Sequence, residues 1–231
     1  MKKKKKIVIV VILSLILLTF LLLFLPEYIG GKKYSVTEIK EILCDADEIV
    51  IKERIFAFNK SYQIFVNDEY IANVTGKYVN VTGEVLSLKN ISGDLIAKEK
   101  QIKRWGVKLN RLAEVYDNEE KLTGYIGEEK IKDIFRIGYY FHFYDKDKDE
   151  IGTSDQVFSL LKKDIFYNED KEQIYVVNKN FHLLKDYYTI HIKDCSDVSP
   201  EMAIFMTCIE DAINDSDAQK TKEKSKENNN K

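Results

Sequence analysis

The chain has 231 residues, with 36 basic and 38 acidic, so its net charge is only −2. That balance excludes the global basic excess of a nucleic-acid-binding domain. Two prolines, 14 Tyr and 12 Phe favour β structure broken by polar turns, and three cysteines make no disulfide framework.

At the N-terminus, "MKKKKKIVIVVILSLILLTFLLLFL", Lys2 to Lys6 precede an uncharged run at 7–25. The run has the length a helix needs to cross a hydrocarbon core of roughly 30 Å. Residues 1–6 form a basic segment that assigns the N-terminal side to the cytoplasm, so the bulk of the chain is expected on the extracytoplasmic side. The competing reading is a cleaved signal peptide. Its apolar core is usually only about 7–15 residues with a small-x-small exit. Cleavage after Gly31 would put Ile29 at the minus-three position, and no lipobox follows, so the length of the run favours an uncleaved anchor.

Residues 26–35 read as a linker with a Gly-Gly hinge, and 36–213 as one domain. "SVTEIKEILCDADE" predicts a short helix with Ile39, Ile42 and Leu43 on one face. From Glu48 to Lys193 the period changes to two: "EIVIKERIFAF", "SYQIFV", "YIANVTGKYV", "EVLSL", "LIAKEKQI", "VKLNRLAEVY", "LTGYIG", "YYFHFY", "IGTSDQVFSLL", "DIFYNEDKEQIYVV" and "FHLLKDYYTIHI". Strand, polar turn and strand recur with no long helix between them, which predicts an antiparallel sheet or barrel. "SPEMAIFMTCIEDAI" then reads as a helix with Ser199 as N-cap and Pro200 at its first position. Met202, Ala203, Ile204, Phe205, Met206, Cys208 and Ile209 leave almost no polar face, against a thin stripe of Thr207, Glu210 and Asp211. A helix so apolar belongs inside a closed sheet, which also removes free strand edges. The tail at 214–231 has too little apolar surface to offset its ordering entropy and is predicted disordered.

Among chemistry-bearing residues, Cys44, Cys195 and Cys208 are predicted to be unpaired thiols, with a Cys195–Cys208 bridge as the alternative. Asp145, Asp147 and Asp149 resemble the start of a calcium loop, but Glu150 and Gln156 stand where Gly and Glu are needed. The spacing predicts a hairpin tip there, and another at "YDNEEKLTG". His142, His182 and His191 share no metal-ligand spacing and read as structural. Tyr139, Tyr140, Phe141 and Phe143 read as barrel wall. Asn73, Asn80 and Asn90 lie in glycosylation sequons. The one concentrated surface is "AKEKQIKRWGVKLNR", where Lys98, Lys100, Lys103, Arg104, Lys108 and Arg111 surround Trp105. A basic strand pair with a Trp suits anionic headgroups, each Lys or Arg contributing roughly 1 kcal/mol. Its bland alternative is the wet, lysine-guarded face of an edge strand.

The strands "IVIKERIFAF", "VTGKYVNV", "LIAKEKQI", "YVV" and "YYTIHI", followed by the terminal apolar helix, resemble the LURP-one-related family. That family shares the fold of the tubby C-terminal domain and of phospholipid scramblases. The resemblance spans about residues 48–213. It implies a mainly β fold: a closed antiparallel barrel of about a dozen strands around a buried hydrophobic C-terminal helix. One transmembrane helix precedes it in this chain, a departure from the family. By analogy with tubby domains, a phosphoinositide-binding role falls on Lys98, Lys100, Lys103 and Arg104, and Trp105 and Lys108 join them as candidate lipid- or partner-binding residues. The expectation is a single-pass, membrane-anchored binding or scaffolding protein, not an enzyme, without cofactor or catalytic residues. Its partners would be its own membrane and anionic lipid or a surface polymer, not nucleic acid. Scramblase-like lipid transport and an unrecognised hydrolase are the alternatives.

Overall fold

The computed structural model describes residues 12–15, 18, 31–54, 61–79, 83–102, 111–132, 137–155, 157, 163–180 and 187–213, with backbone alone at 77–79, 83–84, 130–132 and 137. The chain divides into two compact units, Met1–Gly31 and Lys32–Lys231. In the first, residues 12–15 and 18 are helical, and Ile12, Leu13, Leu15 and Leu18 are each more than half exposed. Among the described residues no helix is long and apolar enough to cross a membrane. Most of the predicted anchor at 7–25, the basic segment 1–6 and the tail 214–231 lie outside the described residues.

The second unit opens with α1 (Val36–Cys44). Ser35 and Glu38 form a reciprocal capping box: Ser35 N–H donates to Glu38 Oε2 at 2.7 Å, and Glu38 N–H donates to Ser35 Oγ at 3.3 Å. Ile39 and Leu43 are fully buried, as the helical spacing predicts. Twelve strands follow: β1 (Glu48–Glu53), β2 (Ser61–Val66), β3 (Glu69–Val79), β4 (Gly83–Asn90), β5 (Leu95–Ile102), β6 (Arg111–Asp117), β7 (Leu122–Lys132), β8 (Ile137–Asp145), β9 (Glu150–Ser154), β10 (Lys163–Asn168), β11 (Gln173–Asn180) and β12 (Tyr187–Ile192). Each pairs antiparallel with its sequence neighbours, and β1 pairs with β12 to close the barrel. The mainly β barrel of about a dozen strands expected from the sequence is thus present, and it has no free edge.

One end of the barrel is built from tight turns. Asn67 and Asp68, with φ of 50° and 62°, join β2 to β3. Four other turns repeat one design, starting at Asn90, Asp117, Asp145 and Asn168. In each, the Asn or Asp side chain accepts from the amide four residues on, at 2.8–2.9 Å. The residue three positions on takes positive φ: Gly93, Glu120, Lys148 or Lys171. The predicted hairpin tips at Asp117 and Asp145 are two of these. The Asp145 carboxylate is occupied by the amides of Asp147 and Asp149. Among the described residues no group of three or more acidic, His or Cys residues could hold a metal ion. Asn90 is buried in its own turn, its side chain bonded to Asp94 and to the Tyr34 carbonyl. It is not presented as a glycosylation acceptor.

Across this end lies α1. Tyr34 Oη donates to Glu69 at 2.9 Å, and Lys40 Nζ donates to Asn118 at 2.9 Å. Cys44 is disulfide-bonded to Cys195 with their Cα atoms 6.0 Å apart, while Cys208 is buried and in no disulfide. This corrects the expectation of three unpaired thiols. The partners are 151 residues apart in sequence. They meet because the connection after β12 returns to the end that α1 covers.

That connection leads into α2 (residues 200–213), which starts at Pro200 as predicted, with Met202 N–H donating to Ser199 Oγ at 3.4 Å. Met202, Ala203, Ile204, Phe205, Met206 and Cys208 are buried against inward strand residues such as Ile51, Ile64, Val74, Phe143, Phe166 and Ile190. Each fully buried Ile, Phe or Met side chain contributes roughly 1.5–3 kcal/mol. Glycine admits the helix at its first turn. A Cβ on Gly124 would collide with the Tyr144 carbonyl oxygen of β8 and press on Met202 Cε at 3.3 Å.

Candidate functional site

The predicted basic surface is placed only in part. Lys98 and Lys100 sit on the outward side of β5, while Glu99 between them points inward and is buried. Lys98 lies 3.3 Å from Glu120 on the β6–β7 turn, and Lys100 is opposite Glu114 of β6. Glu114 in turn accepts from Tyr116 Oη at 2.6 Å, and this bond, with burial second, pushes the Tyr116 phenol up to about 12. Acidic neighbours therefore interrupt the stripe. Arg111 leaves it altogether: its Nε lies 3.4 Å from Glu128, a buried inward carboxylate of β7. Lys103, Arg104, Trp105 and Lys108 lie outside the described residues.

Behind this stripe, around the last turn of α2, the lumen is polar. Thr207, Glu210 and Asp211, the thin polar stripe of the sequence, are all buried. Thr207 Oγ1 donates to the Ala203 carbonyl at 2.8 Å. Asp211 accepts from Tyr62 Oη at 2.8 Å and from Tyr188 Oη. The Tyr62 phenol is raised well above its ordinary value, chiefly by burial, then by the neighbouring Cys208 and Asp211. Lys179 Nζ sits 5.2 Å from the Tyr188 ring centroid. Asp164 of β10 faces Glu210. Burial and then the Glu210 charge push its carboxyl up to about 9, with Lys179 acting in the opposite direction. Glu99, Gln101, Arg111, Glu128 and Ile209 line an interior gap of only about 10 Å³. That is no more than one water probe occupies.

A third feature was missed by sequence reasoning. On β8 the alternation puts Tyr139, Phe141 and Phe143 inward and leaves Tyr140, His142 and Tyr144 half-buried on the outer wall. Tyr140 and His142 are therefore not core. With Glu129, Thr153, Asp155, Tyr167 and Lys171 they line an outer groove of about 510 Å³. The His142 ring lies between two carboxylates, Nε2 at 3.5 Å from Glu129 and Nδ1 at 3.2 Å from Glu150. It also stacks on Tyr144 at 6.2 Å between centroids. Tyr167 Oη donates to Asp155 at 3.1 Å. His191 is 3.5 Å from Glu48 at the barrel surface, and His182 lies outside the described residues.

No protein-family model matches the chain, and neither a curated protein nor a solved structure matches it.

Proposed function

We propose that this chain is a single-pass, membrane-anchored binding or scaffolding protein with a tubby-like barrel on the extracytoplasmic side. Its basic stripe, Lys98 and Lys100 with the β5–β6 connection that carries Lys103, Arg104, Trp105 and Lys108, meets anionic lipid or an anionic surface polymer. The observation that carries this reading is the filled lumen. With α2 occupying the interior and a gap of about 10 Å³ beside it, recognition falls to the outer surface. Two further observations support it. The Cys44–Cys195 disulfide suits an oxidising compartment outside the cytosol. Ile12, Leu13, Leu15 and Leu18 present apolar surface for which a hydrocarbon core is the natural solvent. The twelve-strand barrel around a terminal helix supports the family resemblance at the level of architecture.

Flotation of Lys32–Lys231, the unit with its own closed core, tests the lipid role without interference from the anchor. Recovery is expected with phosphatidylglycerol vesicles and not with phosphatidylcholine vesicles. Lys98→Glu and Lys100→Glu should each weaken partitioning by at least about fivefold, since each lysine near such a surface contributes roughly 1 kcal/mol. Equal recovery from the two vesicle types removes the lipid role.

A further inference from the structure

We propose that the outer groove spanning β8, β9 and β10 binds a neutral saccharide unit, with Tyr140 and Tyr167 as ring platforms and Glu129, Asp155, His142 and Thr153 as hydroxyl partners. The groove, at about 510 Å³, is in the size range of small-ligand sites. Register assembles it: Thr153 of β9 stands opposite both His142 of β8 and Tyr167 of β10, and Tyr140 stands opposite Glu129 of β7. Tyrosine rings supply flat apolar faces with a polar tip, which suit the C–H face of a pyranose and its hydroxyl edge together.

Charge selects among ligands. Glu129, Glu150 and Asp155 outnumber Lys171 around the groove, which disfavours a phosphate or other anion. A bare cation is a poor match as well, because among the described residues no group of three or more acidic, His or Cys residues could hold a metal ion. Glu129 and Glu150 flank His142, and Asp155 accepts from Tyr167. Each carboxylate oxygen keeps lone pairs, and the Thr153, Tyr140 and Tyr167 hydroxyls can both donate and accept. Such a mixture of acceptors and two-way groups matches vicinal hydroxyls, each of which is also donor and acceptor. The site is separate from the lysine stripe, so its fate does not depend on the lipid role.

Calorimetric titration of the full chain in detergent with maltotetraose, cellotetraose, mannotetraose and chitotetraose tests the assignment. At least one of these neutral probes should bind. Tyr167→Ala should weaken that binding by about tenfold or more, whereas Tyr167→Phe, which keeps the ring, should retain most of it. Lys98→Glu should leave it unchanged. Tyr167 lies on the outer wall, and an unaltered thermal midpoint for Tyr167→Phe confirms that the groove is still assembled. Binding of no probe, or an affinity that Tyr167→Ala and Asp155→Asn both leave unchanged, overturns the proposal.

Discussion

The two ends of the barrel are closed by opposite chemistry. At the tight-turn end, four Asx-based turns, the α1 helix and the Cys44–Cys195 bridge surround the apolar start of α2. Around the last turn of α2, Asp164, Lys179, Glu210, Asp211, Tyr62 and Tyr188 meet inside the lumen. The first kind of closure depends on burial and covalent constraint. The second depends on where a few protons sit. One helix thus carries packing in its first half and titration in its second. A protein that needs only stability would be expected to keep apolar residues throughout, because buried polar groups stabilise a fold only when fully partnered.

The largest expected effect is on the apolar half. Phe205 is fully buried, and Phe205→Ala should lower unfolding free energy by roughly 3–5 kcal/mol, read as a lower denaturant midpoint at unchanged slope. A loss near 1 kcal/mol would mean that the strands collapse onto the vacated space and that the helix is not the packing centre. Next in size is the covalent closure. Replacing Cys44 and Cys195 with Ser opens a constraint spanning 151 residues and should cost about 2–4 kcal/mol. Hydrogen exchange should then accelerate in Val36–Cys44 while Tyr187–Ile192 stays protected. Uniform acceleration across the barrel would erase the distinction between the ends.

The apolar half was legible in sequence and the polar half was not. β5 coincides with the predicted Leu95–Ile102 because Ile96 and Ala97 sit between polar turns. α2 was legible because Ser199-Pro200 and the apolar run that follows admit few other readings. By contrast, β7 continues past Gly127 through Glu128 to Lys132. A run of charge reads as a turn unless one knows that Glu128 faces a closed lumen. Asp164, Glu99 and Lys179 were hidden for the same reason, since strand alternation shows a polar side but not that it turns inward. The disulfide was missed because β12 and α1 meet only through barrel closure. The groove was missed because Tyr140 reads with Tyr139, Phe141 and Phe143 as one wall, although strand alternation sets it and His142 on the opposite face. Tyr167 joins them only through the β8–β9–β10 register, which no local pattern encodes.

The effect that isolates the polar half is a pH slope. Asp164 carries its proton up to about 9 in the folded state, against an ordinary value of 3.8. Between those values the folded chain binds more protons than the unfolded chain. Stability is therefore fully present below the ordinary carboxylate range and is lost as pH rises toward 9. The loss from this group is at most about 1.4 kcal/mol per pH unit. Burial sets it first and Glu210 on α2 second, with Lys179 on β11 acting in the opposite direction. Chemical denaturation at pH 5 and at pH 8 should show the wild type weaker at the higher value. Asp164→Asn keeps the shape, needs no proton and can donate to Glu210, so its stability should vary less over that range. If both proteins show the same pH dependence, Asp164 does not hold the proton, and Glu210 or the opposing Lys179 charge accounts for the burial of the pair.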